Sequence, residues 1–184
     1  MPSASPCWFP IETERLRLRE FGVNDLDDVH AYASDVDTVR FMEWGPNTAE
    51  ISRERLRLTL DEQAVWPRRE VNLAVELIEA NRVIGSVRLG VDQNGGGDMG
   101  YVFGSAWWGN GYGYEAGSAL LRTAFSTLGL HRIWASCDAR NTASVALLEK
   151  LGMRREGTLL RDRRVRDGWR DTHLYALLSE EWKG

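Results

Sequence analysis

The sequence predicts an α+β fold, in which helices flank a mixed, mostly antiparallel sheet of about six or seven strands. Apolar residues alternate from Val71 to Leu77, and a second run from Val83 to Val91 returns after a short polar turn. A long helical segment ends near Leu128, and a shorter one lies at 141–151 between two later strand patterns. Consecutive strands without an intervening helix favour an α+β fold over an α/β fold, in which strands and helices alternate regularly.

The remaining elements follow from local signals along the chain. Leu16 and Leu18 suit a first strand, and Asn24 or Asp25 can cap a helix that runs to about Ala33. Residues 47–50 form a capping box for a second helix to about residue 64. The predicted elements after it are strands at 71–77, 83–91 and 98–103, the long helix, a strand at 131–138, the short helix, and strands near 153–165 and 169–178. Their order is βααβββαβαββ.

One domain is expected to span residues 11–182. Residues 1–10 contain three prolines and predict a loose lead-in. The 184 residues are 43% hydrophobic, which is enough to bury a core without disulfides or metals. No linker, repeat or low-complexity segment divides the rest of the chain.

Composition excludes several classes of protein. No apolar run approaches the ~20 residues of a membrane span, and the N-terminus lacks the basic and apolar segments of a signal peptide. Two cysteines do not make a disulfide framework, so a reducing, cytoplasmic setting is expected. A net charge of −4 argues against general nucleic-acid binding and slightly favours cationic partners such as amines.

A glycine-rich turn is the most informative segment of the chain. Gly109, Gly111 and Gly113 follow a predicted strand and precede the long helix. Glycine lets the backbone turn sharply and approach a ligand closely. The free amides of such a turn, together with those at a helix N-terminus, surround an anion. The segment therefore predicts a phosphate site.

A second motif lies about thirty residues further on, from Asn141 to Gly152. Asn141 suits a helix N-cap, and Gly152 suits the left-handed position that ends a helix. The apolar face between them comes from Val145, Leu147, Leu148 and Leu151.

Together the segments Trp108–Ala116 and Asn141–Gly152 resemble the GNAT superfamily of acyl-CoA-dependent N-acyltransferases, and within it the ribosomal-protein N-terminal acetyltransferase-like (Rim-type) branch. Glu14–Arg19 also looks like this branch. The resemblance covers residues 11–182. It implies the GNAT fold with a splayed central strand pair, acetyl-CoA as co-substrate, and direct acyl transfer to an amine.

The resemblance also implies how the co-substrate is held. Main-chain groups of Val102 and Phe103 pair with the pantetheine arm, and one of these amides can bind the thioester oxygen. The superfamily usually has Gln or Arg where this chain has Trp108, a departure that backbone contacts tolerate. The residues whose amides take the CoA pyrophosphate are Trp108, Gly109, Asn110, Gly111, Tyr112 and Gly113.

Asn141 and Ser144 are the side chains that the resemblance places beside the reacting thioester. Asn141 can bind the pantetheine amides as well as cap its helix, and Ser144 is the expected proton donor to the departing thiolate. The alternative for Ser144 is an ordinary helix-surface serine. Some relatives use a tyrosine four residues later, but here that position is Leu148.

The general base is less well defined. Asp98 stands where relatives often have Glu, and Glu43 in the segment bordering the acceptor pocket is a comparable candidate. Trp44 and Tyr101 complete the expected acceptor pocket, and Glu115 is expected to stabilise its helix N-terminus by its charge.

No metal or covalent chemistry is expected. The three histidines, His30, His131 and His173, are far apart in sequence and suggest structural roles rather than a metal site. Cys137 has no adjacent histidine to activate it as a nucleophile. The basic run at 161–170 contains aspartates and an Asp-Gly turn, which favours a solvated hairpin over an RNA site.

The leading hypothesis is an acetyl-CoA-dependent N-acetyltransferase that acts on a protein N-terminus, a peptide or a small amine. Alternatives are the same fold with another donor such as succinyl-CoA, and a CoA-binding sensor without turnover. The sequence leaves a homodimer open and does not identify the acceptor.

Overall fold

A computed structural model describes residues 8–65 and 67–184. Cys7, Trp66 and most of the 1–10 lead-in lie outside the described residues. The strands are β1 (Ile11–Glu12), β2 (Leu16–Arg19), β3 (Glu70–Leu77), β4 (Arg82–Val91), β5 (Gly96–Phe103), β6 (Arg132–Asp138), β7 (Arg154–Val165) and β8 (Gly168–Leu178). The helices are α1 (Leu26–Ala33), α2 (Ala49–Gln63), α3 (Tyr112–Arg122) and α4 (Thr142–Lys150), and α3 continues as a π-helical turn at Thr123–Thr127.

The eight strands form one sheet in the order β1-β2-β3-β4-β5-β6-β8-β7. The expectation of six or seven strands is therefore wrong, because it missed the two-residue strand β1, in which Ile11 pairs with Leu18 of β2. Two residues are too few to produce an alternating pattern, so only the pairing reveals this strand. The last hairpin also folds back, which places β8 between β6 and β7.

The central strand pair is splayed, as expected. β5 and β6 are the parallel pair, and they pair only at three positions, of which the last joins Asp98 to Trp134. Beyond these residues the two strands diverge. The β6-facing edge of β5 is therefore unpaired from residue 99 onward, within the part of the chain that the structure describes.

Two hydrophobic clusters lie on opposite faces of the sheet. On one face Met99 and Phe103 of β5 pack with α3 and with Leu148 of α4. On the other face Val102 packs with α1 and α2, through residues such as Leu56. Because side chains alternate along a strand, β5 contributes to both clusters.

The capping signals were partly correct. α2 begins where expected, but Thr48 is its N-cap and its hydroxyl accepts the Ile51 N–H at 3.3 Å, so Glu50 does not hold the third helical position that the predicted capping box requires. Asp25 occupies the expected N-cap position of α1, but its side chain makes no capping bond to that helix, because a short 3₁₀ turn precedes α1 and the carboxylate accepts the Gly22 N–H at 2.7 Å instead. Within residues 8–65 and 67–184, no helix has the length and apolar character that a bilayer crossing requires.

Candidate functional site

A cavity of about 1360 Å³ runs through the gap between β5 and β6. The N-terminal ends of α3 and α4 border it on one face of the sheet, and segment 37–47 with the β7–β8 hairpin borders it on the other. Residues from both sides of the split therefore line a single continuous space. Every residue proposed above as a site residue, apart from Asn110, lines this cavity.

The glycine turn before α3 has the expected backbone geometry at two of its glycines. Gly109 and Gly111 have φ values of 80° and 81°, a region that side chains with a Cβ avoid. The first helical bond joins the Glu115 N–H to the Gly111 carbonyl at 3.1 Å, so the N–H groups of residues 112–114 have no partner within the helix. Trp108 differs from the expectation, because its N–H already donates to the Ser105 carbonyl at 3.2 Å.

Gly113 has a different role from its two neighbours. It lies within α3, and its φ is not in the left-handed region. A Cβ at this position would lie 3.0 Å from a methyl group of Leu147 and 3.7 Å from the Phe103 ring. Gly113 therefore lets α3 and α4 approach each other, whereas the sequence suggested a close approach to the ligand.

The N-terminus of α3 is fixed by the connection between β1 and β2. Glu115 accepts the Thr13 hydroxyl at 2.6 Å and the Arg15 Nε at 2.7 Å, and Arg15 Nη1 donates to the Asn110 carbonyl at 3.0 Å. Burial alone would raise the pKa of Glu115, but these bonds to Thr13 and Arg15 outweigh it and lower that pKa below its usual value. Glu115 thus stabilises the turn through specific bonds as well as through its charge.

The unpaired edge of β5 presents alternate residues to the gap. Gly104 N–H donates to the Ile84 carbonyl of β4 at 3.0 Å. Antiparallel alternation then turns the main-chain groups of Val102 toward β4 and those of Tyr101 and Phe103 toward the gap. The expectation that Val102 faces the gap is corrected accordingly. The Phe103 carbonyl accepts the Trp108 indole Nε1 at 2.7 Å.

Ser144 lies across the split, in contact with both diverging strands. Asn141 caps α4, since its Oδ1 accepts the Ser144 N–H at 3.1 Å. The Ser144 hydroxyl lies 2.7 Å from the Tyr101 hydroxyl of β5, and the Cys137 thiol of β6 is its neighbour on the other strand. α4 contains no tyrosine, and Leu148, at the position where some relatives have one, is buried in the core.

Tyr101 and Cys137 are both neutral at ordinary pH. Burial raises the pKa of the Tyr101 phenol and that of the Cys137 thiol. The sequence placed Tyr101 in the acceptor pocket, but its ring packs with the core on the α3 and α4 face and contacts Ser144. Cys137 is a free, buried thiol.

Asp98 stands at the point where β5 and β6 separate, opposite Trp134. Its carboxylate forms an ion pair with Arg88 of β4, and Arg88 also contacts Glu70 at 2.6 Å. Trp134 is 40% exposed beside it. The Asp98 carboxylate and the exposed face of Trp134 thus lie side by side at the base of the gap.

Glu43 is held by the β7–β8 hairpin. Its carboxylate accepts Arg163 Nη1 at 2.8 Å and Arg170 Nη2 at 3.1 Å. Arg166 also donates to the Val39 carbonyl at 2.7 Å. The basic run is therefore only partly solvated, because three of its arginines fasten the hairpin to segment 39–43. Trp44, 36% exposed, follows this segment at the cavity wall.

Each of the three histidines has a hydrogen-bond partner, although the sequence showed no partner pattern for them. His30 contacts the Ser52 hydroxyl at 3.0 Å, His131 the Gly95 carbonyl at 2.9 Å and His173 the Thr158 hydroxyl at 2.9 Å. Across the part of the chain that the structure describes, no three metal-ligating side chains come together.

Sequence reasoning missed the partners of the site residues. Arg88, Arg163 and Arg170 balance the two candidate bases, and no local pattern pairs residues so distant in sequence. The placement of Tyr101 had a signal, because it shares a strand face with Met99 and therefore points away from Asp98.

Comparison with known proteins agrees with this geometry. Residues 15–154 match the family described as acetyltransferase (GNAT) domain. The chain is 31% identical to the uncharacterized N-acetyltransferase YnaD of Bacillus subtilis over 176 residues, 94% of this chain and 98% of that protein. It is 39% identical to the [ribosomal protein uS5]-alanine N-acetyltransferase of Escherichia coli over 85 residues, 46% of this chain and 43% of that enzyme.

A crystal structure of a GNAT-family acetyltransferase from Bacillus anthracis superimposes with a TM-score of 0.82 at 33% identity, covering 92% of this chain and 98% of the other. Both the Bacillus subtilis relative and the Bacillus anthracis structure are described as acetyltransferases, and each matches this chain over more than 90% of its length. The protein belongs to the GNAT superfamily of N-acetyltransferases.

Proposed function

We propose that this N-acetyltransferase uses acetyl-CoA and transfers the acetyl group directly to a primary amine. The observation that carries the proposal is the meeting of three features at one gap. These are the unpaired edge of β5, the open amides of the α3 N-terminus, and the Ser144 hydroxyl bonded to Tyr101 of β5.

The chain's main-chain groups suit a long donor with phosphates. The amides of residues 109–113 would bind the pyrophosphate, because N–H groups at a helix N-terminus stabilise anions. The outward main-chain groups of Phe103 and Tyr101 would pair with the pantetheine arm as an added strand. Asn141 retains a free amide NH₂ for the same arm, since capping uses only its oxygen.

The reaction needs three contributions from these residues. The amine nitrogen attacks the thioester carbonyl, and a β5 main-chain N–H stabilises the oxygen on which negative charge develops. The C–S bond then breaks, and the Ser144 hydroxyl donates to the departing sulfur. Holding amine and thioester together in the gap supplies a large further share of the rate.

Asp98 is the better placed of the two candidate bases. It lies at the base of the gap with one ion-pair partner, whereas the Glu43 carboxylate bonds two guanidinium groups of the hairpin. A base must accept a proton from the attacking amine, directly or through water. Glu43 instead serves to fix segment 39–43 as a wall of the acceptor site.

The acetyltransferase family supports acetyl-CoA as the donor. Arg163 and Arg170 pair with Glu43, whereas Arg40 and Arg55 also line the cavity and could face a succinyl carboxylate, so both donors are compared below. The presence of both Asn141 and Ser144 favours turnover over a purely sensory role.

A protein N-terminus is the acceptor to test first. The E. coli relative over 85 residues is an alanine N-acetyltransferase of ribosomal protein uS5. An α-amino group, with an unperturbed pKa of about 8, also needs only a weak base such as a carboxylate.

The test is thiol release from acetyl-CoA and succinyl-CoA over a panel of small amines and peptides, including peptides that begin with alanine. We expect acetyl-CoA to support release with at least one α-amine. Ser144→Ala is the active-site variant, and Ser126→Ala, at an exposed serine of the π-helical turn, is the matched control. CoA binding without release from any acceptor would favour a sensor, and faster release from succinyl-CoA would reassign the donor.

A further inference from the structure

The surroundings of Ser144 determine what its hydroxyl can do. A serine hydroxyl has one donor and two acceptor sites. The Tyr101 hydroxyl of β5 approaches this oxygen, and Cys137 of β6 lies beside it. If Tyr101 donates, it fills one acceptor site, and the serine proton is left to point elsewhere.

The geometry supports this direction of donation. The Tyr101 hydroxyl lies 2.7 Å from the Ser144 Oγ and 3.3 Å from the Ser144 carbonyl, so the side-chain oxygen is its closer acceptor. A phenol is also a stronger acid than an aliphatic alcohol and is the better donor of the two. Burial raises the pKa of Tyr101 and that of Cys137, which keeps the O–H and S–H protons in place.

We propose that Tyr101 is a positioning residue, whose hydroxyl donates to the Ser144 oxygen and thereby directs the serine proton into the gap toward the departing sulfur. This inference rests on the proposed function of the same site. It gives β5 a side-chain role in addition to its main-chain edge, in a protein whose α4 carries Leu148 in place of a tyrosine.

The proton moves in one balanced sequence. When the C–S bond breaks, its electron pair stays on sulfur as a thiolate, and the Ser144 hydroxyl donates a hydrogen bond to that sulfur while keeping its proton. The bond from Tyr101 to the Ser144 oxygen polarises the serine O–H and strengthens this donation. The proton that the amine releases passes through the base or solvent and finally neutralises the thiolate, so Ser144 and Tyr101 both end the reaction protonated.

Free CoA, the thiol product, tests the inference without turnover. Absorbance of the thiolate in the ultraviolet reports the pKa of the CoA thiol while it is bound to the full chain. We expect this pKa to be lower on the wild-type protein than in solution, because the directed serine proton stabilises the thiolate. Ser144→Ala should remove most of that lowering.

Tyr101→Phe should raise the pKa of bound CoA and decrease kcat for acetyl transfer by a similar factor, roughly 3- to 10-fold, as for the loss of one hydrogen bond. The KM for acetyl-CoA should stay unchanged. Adding Tyr101→Phe to Ser144→Ala should change neither quantity further, because Tyr101 acts through Ser144. The matched control is Tyr175→Phe, which removes another buried phenol, hydrogen-bonded to Glu149 at 3.1 Å and outside the cavity lining.

Three results would overturn the inference. If the pKa of CoA bound to Tyr101→Phe equals that of CoA bound to the wild-type protein, the Tyr101 hydroxyl does not direct Ser144. If Tyr101→Phe lowers kcat as much in the Ser144→Ala background as in the wild-type background, Tyr101 acts on the sulfur itself. Failure of the wild-type chain to bind CoA would instead refute the proposed function, and the inference with it.

Discussion

Gly111→Val gives the sharpest test of the phosphate site. Gly111 is the N-cap of α3 with φ of 81°, and a Cβ there would meet only Arg15 Nη2, at 3.6 Å. Gly129, in the connection from α3 to β6, has φ of 67° and open space around its Cβ. Gly129→Val therefore imposes a comparable backbone strain far from the turn and is the matched control.

The two variants should lose similar stability but very different affinity. A residue with a Cβ in the left-handed region costs about 1–2 kcal/mol, which lowers the Tm of a chain of this size by roughly 2–8 °C. At residue 111 the valine side chain also obstructs the neighbouring amides of α3. Each bond from an amide to a charged phosphate contributes about 1.5–3 kcal/mol. Loss of two such bonds weakens acetyl-CoA binding by more than about 100-fold.

Calorimetric titration with acetyl-CoA, with thermal unfolding of the same samples, separates the two effects. Gly129→Val should unfold earlier yet bind normally, and Gly111→Val should unfold earlier and fail to bind. Near-normal affinity in Gly111→Val would refute the assignment of the pyrophosphate to this turn. Equal losses of affinity in both variants would show that strain alone explains the result.

Three further predictions concern single side chains. Ser144→Ala should lower kcat roughly 30-fold, from about 2 kcal/mol of lost transition-state stabilisation, with an unchanged Kd for CoA in titration; a parallel loss of affinity would make Ser144 a binding residue. Asp98→Asn should reduce kcat/KM roughly 100-fold near pH 7, and the loss should shrink as pH rises, because a neutral amine needs less help from a base; a pH-independent loss would indicate acceptor positioning. Glu115→Gln should lower the free energy of unfolding by about 1 kcal/mol at pH 7, as measured by urea denaturation. The folded-state pKa of Glu115 is lowered, so its contribution is complete above the unfolded value of about 4.3 and disappears as pH falls through the folded value. A difference from wild type that does not shrink as pH is lowered below about 4 would contradict this reasoning.

The sequence by itself determined most of the secondary structure and the family. Alternation predicted β3 and β4, Asn141 and Gly152 predicted both ends of α4, and the glycine turn predicted an anion site. These signals act within one strand, turn or helix, so they can be detected from neighbouring residues. Backbone conformation at a glycine or a cap depends on the few residues around it.

Only the tertiary structure decided which side chains meet in the gap. The contact of Tyr101 with Ser144 joins residues 43 positions apart, and that of Glu43 with Arg163 joins residues 120 apart. Both depend on the divergence of β5 from β6 and on the fold-back that puts β8 beside β6. Such contacts are set by how strands pair across the whole sheet, since a strand's own alternation fixes only which face a side chain occupies.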